Sequence, residues 1–144
     1  MTQVDFYVLS AASIEARLGF AARLGEKILN GRHQLVIATP NADLGQQLSE
    51  QLWHLRPDAF IAHSLVDETS QQNDPVLVCQ TTPPAHCHDV LINLTDTLLE
   101  HCFSRFNRVV EIVVQEPSIL AQTREAYQFY KARSYPIRTH RLDV

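Results

Sequence analysis

Residues 108–139 read RVVEIVVQEPSILAQTREAYQFYKARSYPIRT, and this stretch decides the fold. It opens with a run of β-branched residues from Val109 to Val114, which is typical of a central strand buried on both faces. Pro117 fits the first turn of a helix, because the N–H that proline lacks would have no partner there. We therefore expect a buried strand, then a helix over roughly residues 118–134, and a short edge strand from Ile137 to His140.

The expected helix carries two neighbouring stripes at helical spacing. The first, predicted to pack on the sheet, consists of Ile119, Thr123, Ala126 and Tyr130. The second consists of Leu120, Arg124, Tyr127, Gln128 and Lys131. A guanidinium pairs with carboxylates while a ring and a leucine accept an apolar side chain, so the second stripe suits an acidic peptide with an apolar end. The same residues also fit an ordinary solvated helix face with a half-buried tyrosine.

The rest of the chain alternates short apolar runs with amphipathic segments. Strands are expected over residues 5–10, 35–38, 59–62, 76–79 and 89–94, and a polar surface loop over 64–75. Helices are expected after the caps Ser13 and Asn41, ending at Asn30-Gly31 and before Pro57, and from Thr95 to Phe103. This alternation predicts one α/β domain over residues 1–144. It would be a three-layer Rossmann-like fold, a mainly parallel sheet with helices on both faces, and an antiparallel strand at one edge is left open.

The composition is that of a globular protein expected in the cytoplasm. The net charge is −4, and no apolar run approaches the roughly 20 residues that span a bilayer. Cys79, Cys87 and Cys102 lack a paired short spacing, which favours reduced thiols. Residues 105–141 hold seven lysines and arginines against three acids, whereas residues 1–104 hold five against twelve. This asymmetry indicates an anionic partner at the carboxy-terminal third.

The residues offer no coherent catalytic set and no cofactor site. Ser10-Ala11-Ala12 stands where a glycine-rich phosphate-binding loop would follow the first strand, so no such loop is expected. The segment His86-Cys87-His88-Asp89 resembles a metal cluster, but adjacent ligands on one loop rarely reach one ion, and a polar loop is favoured. Two rival functions stay open: a small nucleotide-dependent enzyme on the same sheet, and direct nucleic-acid binding through the basic third.

Trp53 and Phe60 have two readings of comparable weight. Trp53 follows the inner-face Leu52 by about 100° around the helix, which places it at the rim of the core or outside it. Aromatic residues at such a rim are favoured anchors in protein interfaces. The other reading is that Trp53 closes the core beneath Pro57 and Phe60.

Taken in order, several segments resemble the chi subunit of bacterial DNA polymerase III. The match runs over nearly the whole chain. Its pieces are Phe6-Tyr7-Val8-Leu9, Leu52-Trp53, Arg56-Pro57, residues 60–65, Pro75-Val76, residues 89–94, residues 106–111 and Arg124-x-x-Tyr127-x-x-Tyr130.

The resemblance implies a non-catalytic adaptor of the clamp loader with a Rossmann-like fold. Members of the family pair with the psi subunit and bind the acidic carboxy-terminal tail of single-stranded DNA-binding protein, so that DNA is reached only indirectly and no membrane is involved. Arg124 and Tyr127 match the family's tail-binding residues, and Val113 matches a valine lining that site. Trp53 and Phe60 match aromatics that meet psi or, alternatively, an accessory helicase.

This sequence departs from the family pattern at two positions of the implied tail site. Leu120 and Gln128 stand where family members carry cations. Lys131, Arg133 and Arg108 are the candidates for supplying the missing charge. Weaker or differently placed tail binding is therefore expected.

Overall fold

The computed structural model describes residues 1–54, 63–65, 75–80 and 82–144, with the backbone alone for residues 53, 54 and 63–65. The elements follow in order: β1 Gln3–Leu9, α1 Ile14–Asn30, β2 Leu35–Ala38, α2 Ala42–His54, β3 His63–Leu65, β4 Val76–Cys79, β5 Val90–Asn93, a 3₁₀ turn Phe103–Arg105, β6 Arg108–Val113, α3 Pro117–Ala132 and β7 Ile137–Leu142. None of the described helices is long and apolar enough to span a membrane.

In the described part of the chain, seven strands form one sheet in the order β3-β4-β2-β5-β6-β1-β7. All neighbouring pairs are parallel. Helix α1 packs beside α2, whereas α3 packs against β6 on the other face, which confirms the three-layer α/β prediction. The edge strand β7 is parallel to β1, not antiparallel, because α3 carries the chain back to the end of the sheet where β6 began.

The expected central strand is confirmed. Strand β6 lies between β5 and β1, and all of its residues after Arg108 are buried. One of them, Glu111, is a carboxylate within the apolar core. Its Oε2 accepts hydrogen bonds from Asn93 Nδ2 at 3.3 Å and from the Tyr130 hydroxyl at 3.1 Å. Burial raises the pKa of Glu111 to about 7, although these hydrogen bonds and the charge of Arg17 oppose the rise.

The helix starts follow the predicted caps. Ser13 Oγ accepts from the Ala16 N–H at 3.1 Å, and Asn41 Oδ1 accepts from the Leu44 N–H at 2.9 Å. The stop of α1 differs from the prediction, which gave the left-handed position to Asn30-Gly31. Gly31 has φ −82°, and Arg32 takes the left-handed conformation with φ 63°. The turn is closed one residue later because the Arg32 N–H bonds to the Leu29 carbonyl at 2.8 Å.

The helix expected from Thr95 to Phe103 is wrong, because bends and turns lead into the short 3₁₀ turn instead. Asn93 Oδ1 accepts from the Thr95 N–H at 3.0 Å. The single hydroxyl hydrogen of Thr95 is shared between Asn93 Oδ1, 2.6 Å from Thr95 Oγ1, and the Thr97 carbonyl, 2.8 Å away. These local bonds compete with helical ones.

Two other predictions fall wholly or partly on residues without a description. The strand expected over 59–62 lies outside the described residues. The loop expected over 64–75 is wrong for residues 64 and 65, which belong to β3, and residues 66–74 lie outside the described part.

Candidate partner-binding groove

A groove of about 630 Å³ runs between helix α3 and the edge of the sheet, and we call it the α3 groove. Its floor comes from β1, one wall from α3 and the other wall from β7. It is lined by Phe6, Val8, Thr123, Arg124, Tyr127, Gln128, Thr139 and Arg141.

The sheet contributes alternate residues of two neighbouring strands. In a strand, every second side chain faces the same side, so Phe6 and Val8 share one face of β1. The parallel register puts Thr139 opposite Phe6 and Arg141 opposite Val8. The pairing of β1 with β7 therefore brings a cation from the last strand beside the apolar floor.

Helix α3 presents its second stripe to this groove. Arg124, Tyr127 and Gln128 are three and four residues apart and lie on one helix face. The ring of Tyr127 tilts against Phe6, with 5.8 Å between centroids, yet 39% of the residue remains exposed. The first stripe packs inward as predicted, with Ile119, Ala126 and Tyr130 buried.

The electrostatics of the α3 groove favour an anion. Arg124 and Arg141 are both exposed, and within the described residues neither guanidinium makes a hydrogen bond or an ion pair. No acid is found among the described residues that line the groove. Lys131 adds a third positive charge nearby, with its Nζ 5.9 Å from the centroid of the Tyr127 ring. Two unpaired cations over an apolar floor suit a carboxylate attached to an apolar side chain.

An ionic cluster around the buried Asp5, on the opposite face of the sheet, holds β7 in this register. Asp5 of β1, whose side chain is fully buried, accepts from Arg108 Nε on β6 and from Arg138 Nε on β7, the latter at 2.9 Å. Arg108 Nη2 also donates to the Tyr7 hydroxyl at 2.7 Å. Because Arg138 pairs with Asp5 on one face, the next residues of β7 place Thr139 and Arg141 on the other.

The same cluster sets the charge state of Asp5. Burial would raise the pKa of this carboxyl, but the hydrogen bonds from Arg138 and Arg108, together with their positive charges, outweigh burial and hold the pKa below its ordinary value. Asp5 therefore stays ionised at neutral pH.

The residues proposed from the sequence do not all meet at the α3 groove. Arg124, Tyr127 and Gln128 line it, and Lys131 lies next to it. Val113 is buried in β6, and Leu120 is half-buried against the core, so neither lines it. Trp53 lies in α2, but its side chain and the whole of Phe60 lie outside the described residues.

The candidates for the missing family charges lie in different places. Arg108 faces the opposite side of the sheet and binds Asp5. Arg133 ends α3 and places its guanidinium 3.7 Å from the centroid of the Phe129 ring. Arg141, which the sequence reasoning missed, lines the groove together with Phe6, Val8, Thr123 and Thr139. The alternation of side chains along β1 and β7 was visible in the sequence. The sequence did not show that these two strands are neighbours.

The three cysteines and Asp89 have structural surroundings. The three cysteines are free and buried, and burial raises the pKa of Cys79 to about 12. Asp89 contacts His33 Nδ1 at 3.1 Å and accepts from the Gln34 N–H. No group of three potential metal ligands occurs among the residues that the structure describes.

At the carboxyl ends of the central strands, the buried Arg17 uses its guanidinium on the backbone. Its Nε donates to the Ile112 carbonyl at 2.8 Å and its Nη1 to the Leu94 carbonyl at 3.2 Å. Just after β1, the N–H groups of Ser10 and Ala11 donate to Leu142 and Val144. These groups link the ends of the central strands to α1 and to the last residues of the chain.

Solved structures share the fold at low sequence identity. One titled "Mss116p DEAD-box helicase domain 2 bound to an RNA duplex" aligns with 97% of this chain and 64% of its own, with a TM-score of 0.66 and 13% identity. The crystal structure of T4 UvsW aligns with 99% of this chain and 41% of its own, with a TM-score of 0.68 and 7% identity. Likeness at this level concerns the fold alone.

The sequence comparisons all lead to one family. The model of the family described as "DNA polymerase III chi subunit, HolC" matches residues 1–138. DNA polymerase III subunit chi of Pseudomonas aeruginosa is 40% identical over 144 residues, 99% of this chain and 98% of the relative. The subunit chi of Escherichia coli K12 is 25% identical over 145 residues, 96% of this chain and 97% of the relative. The chain belongs to the DNA polymerase III chi subunit family.

Proposed function

We propose that this chain is a non-catalytic adaptor of the DNA polymerase III clamp loader in DNA replication. It binds the acidic carboxy-terminal tail of single-stranded DNA-binding protein in the α3 groove and pairs with the psi subunit through Trp53 and Phe60. Membership of the chi family supports an accessory role in replication. The tail site rests on one observation. Arg124 and Arg141, which have no ion-pair partner among the described residues, lie above the apolar floor of the α3 groove.

The tail that the family resemblance implies ends in a phenylalanine behind several aspartates. Its ring fits against Val8 and Tyr127, above the buried Phe6. Its terminal carboxylate lies within reach of Arg124, and the aspartates follow toward Arg141 and Lys131. Thus Arg141 and Lys131 supply the charge that Leu120 and Gln128 do not.

The expected affinity for the tail is moderate. A charge-assisted hydrogen bond contributes about 1.5–3 kcal/mol, and burial of one phenylalanine side chain contributes about 2 kcal/mol more. Several such contacts, minus the cost of association, correspond to a dissociation constant on the order of micromolar. The affinity falls as salt is added because the pairs are exposed.

A peptide titration tests the tail site. Calorimetry with the tail peptide is expected to show that Arg124→Ala weakens binding roughly tenfold or more, the cost of one charge-assisted bond. Arg141→Ala is expected to weaken binding in the same direction. Arg23→Ala, which removes an exposed arginine from α1 on the opposite face, is the matched control and keeps the wild-type affinity. Equal affinity in Arg124→Ala and the wild type would remove the site.

Co-purification tests the psi site separately. The double variant Trp53→Ala, Phe60→Ala is expected to lose psi, or an accessory helicase bound at the same residues, while it keeps the tail peptide. If psi still co-purifies with a folded double variant, the two aromatics are not the docking residues.

A further inference from the structure

A second groove, of about 760 Å³, lies on the opposite face of the same sheet edge, and we call it the α1 groove. Helix α1 forms one wall, and the faces of β1 and β7 that point away from α3 form the other. Its lining includes Tyr7, Phe20, Arg23, Lys27, Arg138 and His140. Neither the tail site nor the psi site uses these residues.

The walls of the α1 groove carry positive charge that the described residues neutralise only in part. Arg23 and Lys27 are exposed, lie one helical turn apart and make no hydrogen bond or ion pair within the described residues. Arg138 faces them from β7 with 60% of its side chain exposed. None of the described lining residues is an acid. Asp5 lies fully buried beneath them, where it pairs with Arg138 and Arg108 and lies 3.5 Å from His140 Nε2.

The sheet side of the groove is a platform of stacked rings. The His140 ring lies parallel to Tyr7, with 4.5 Å between centroids and 15° between planes. Phe20 of α1 tilts against Tyr7, with 5.5 Å between centroids and 48° between planes. His140 keeps 37% of its side chain exposed, so its ring is accessible from the groove.

We propose that the α1 groove binds single-stranded DNA directly, as a second and weaker contact of this adaptor. Phosphates pair with Arg23, Lys27 and Arg138, and a base stacks on the exposed side of the His140 ring, whose other side is stacked on Tyr7. Rows of cations beside exposed rings are how proteins hold single strands without reading their sequence. An acidic peptide without aromatic side chains would use the cations but would leave the rings without a planar partner.

The resemblance led us to expect that the chain reaches DNA only through its protein partner, whereas the contact proposed here is direct. The net charge of −4 limits the affinity but does not oppose the site, because no acid in the part of the chain that the structure describes lines the groove. Binding is therefore weak and requires low salt.

Fluorescence anisotropy with a labelled oligothymidine in low-salt buffer tests the proposal on the whole chain. The double variant Arg23→Ala, Lys27→Ala is expected to weaken binding at least about fivefold and to lower the slope of log affinity against log salt by about 1.4, the loss of two phosphate contacts. The matched control, Arg124→Ala with Arg141→Ala, removes two arginines from the opposite face and keeps the affinity of the wild type for the oligonucleotide.

Two further probes test the strand and the stacking. An abasic oligonucleotide of the same length is expected to bind several-fold more weakly, because the rings lose their partner. Thymidine monophosphate is expected to compete poorly, because it offers one phosphate. The proposal is overturned if the wild type does not bind at low salt, if both double variants bind alike, or if the mononucleotide competes as well as the strand. The tail-peptide titration is read separately, since Arg23→Ala, Lys27→Ala keeps the tail site.

Discussion

At the scale of single residues, Glu111 is the most unusual group in the described core. It lies in the middle of β6 with 5% of its surface exposed, and its partners are a neutral amide, a neutral hydroxyl and the charge of Arg17. Because its pKa is about 7 in the folded protein and about 4.5 ordinarily, the folded state holds a proton that the unfolded state releases between these values. The free energy of unfolding therefore falls as the pH rises through this window.

The variant Glu111→Gln tests this account. The glutamine is neutral at every pH and can still accept the hydrogen bonds of Asn93 and Tyr130. We expect the fall in unfolding free energy between about pH 4.5 and about pH 8 to be about 3 kcal/mol smaller than in the wild type, since one pKa unit is about 1.4 kcal/mol. Urea unfolding at the two pH values measures the difference.

The control for this prediction is Glu125→Gln, which changes an exposed glutamate on α3. It is expected to leave the pH dependence of stability unchanged. If the unfolding free energy of Glu111→Gln falls with pH as steeply as that of the wild type, then Glu111 is already ionised in the folded protein and the core accommodates its charge.

At the scale of elements, β7 determines what both grooves can bind. It is an edge strand of six residues whose alternate side chains enter opposite faces: Thr139 and Arg141 enter the α3 groove, and Arg138 and His140 enter the α1 groove. A shift of one residue would exchange the two sets. The register is therefore the structural quantity on which both proposed sites depend.

Hydrogen exchange reports this register directly. The Val4 N–H donates to the Pro136 carbonyl at 2.9 Å and the Ser10 N–H to the Leu142 carbonyl at 3.2 Å, so the even-numbered carbonyls of β7 face β1. The N–H groups of Thr139 and Arg141 then point away from the sheet. We expect these two amides to exchange at least about tenfold faster than those of Arg138 and His140, measured by NMR in the free protein. The inverse pattern would mean that β7 is shifted by one residue.

The Asp5 cluster is expected to provide much of the energy that holds β7 in place. Asp5→Ala leaves two arginines without their carboxylate, which costs about 3–5 kcal/mol when both charges are buried. Arg138 is 60% exposed and Arg108 is 26% exposed, so we expect a loss of about 2 kcal/mol at neutral pH in urea unfolding.

The pH dependence has the sign of a lowered carboxyl pKa. Asp5 stabilises the fold above the ordinary pKa of aspartate, and its contribution disappears as the pH falls through the lower folded-state value. The deficit of Asp5→Ala against the wild type should therefore shrink on acidification. Arg138→Ala is the milder comparison, since Arg108 still pairs with Asp5. Wild-type stability in Asp5→Ala would show that the cluster contributes no net energy.

At the scale of the whole molecule, the two grooves flank one strand but open on opposite faces of the sheet. We expect the tail peptide and a single strand to bind at the same time, with the peptide changing the affinity for the oligonucleotide less than about threefold, because the sheet and screening separate the two anions. Anisotropy of the labelled strand, with and without saturating peptide, measures this coupling. Displacement of the strand by the peptide would show that both ligands use one site.

Local patterns were sufficient for most of the architecture. The β-branched run of β6, proline at the start of α3, the caps Ser13 and Asn41 and the alternation of strands with helices were each predicted, because each follows from contacts between residues close in the chain. The prediction of a helix from Thr95 to Phe103 was wrong because side-chain hydrogen bonds to the nearby backbone replaced the helical ones.

The sequence by itself determined the α/β class, the buried strand and the cationic stripe of α3, because hydrophobic period and helix spacing are local properties. Only the tertiary structure decided that β7 pairs in parallel with β1, that Arg141 lies beside Val8 and that Arg108 turns away to Asp5. The physical reason is that these contacts join residues more than a hundred positions apart, so that strand order and register at this edge of the sheet arise from tertiary packing. No local pattern in the chain contains that information.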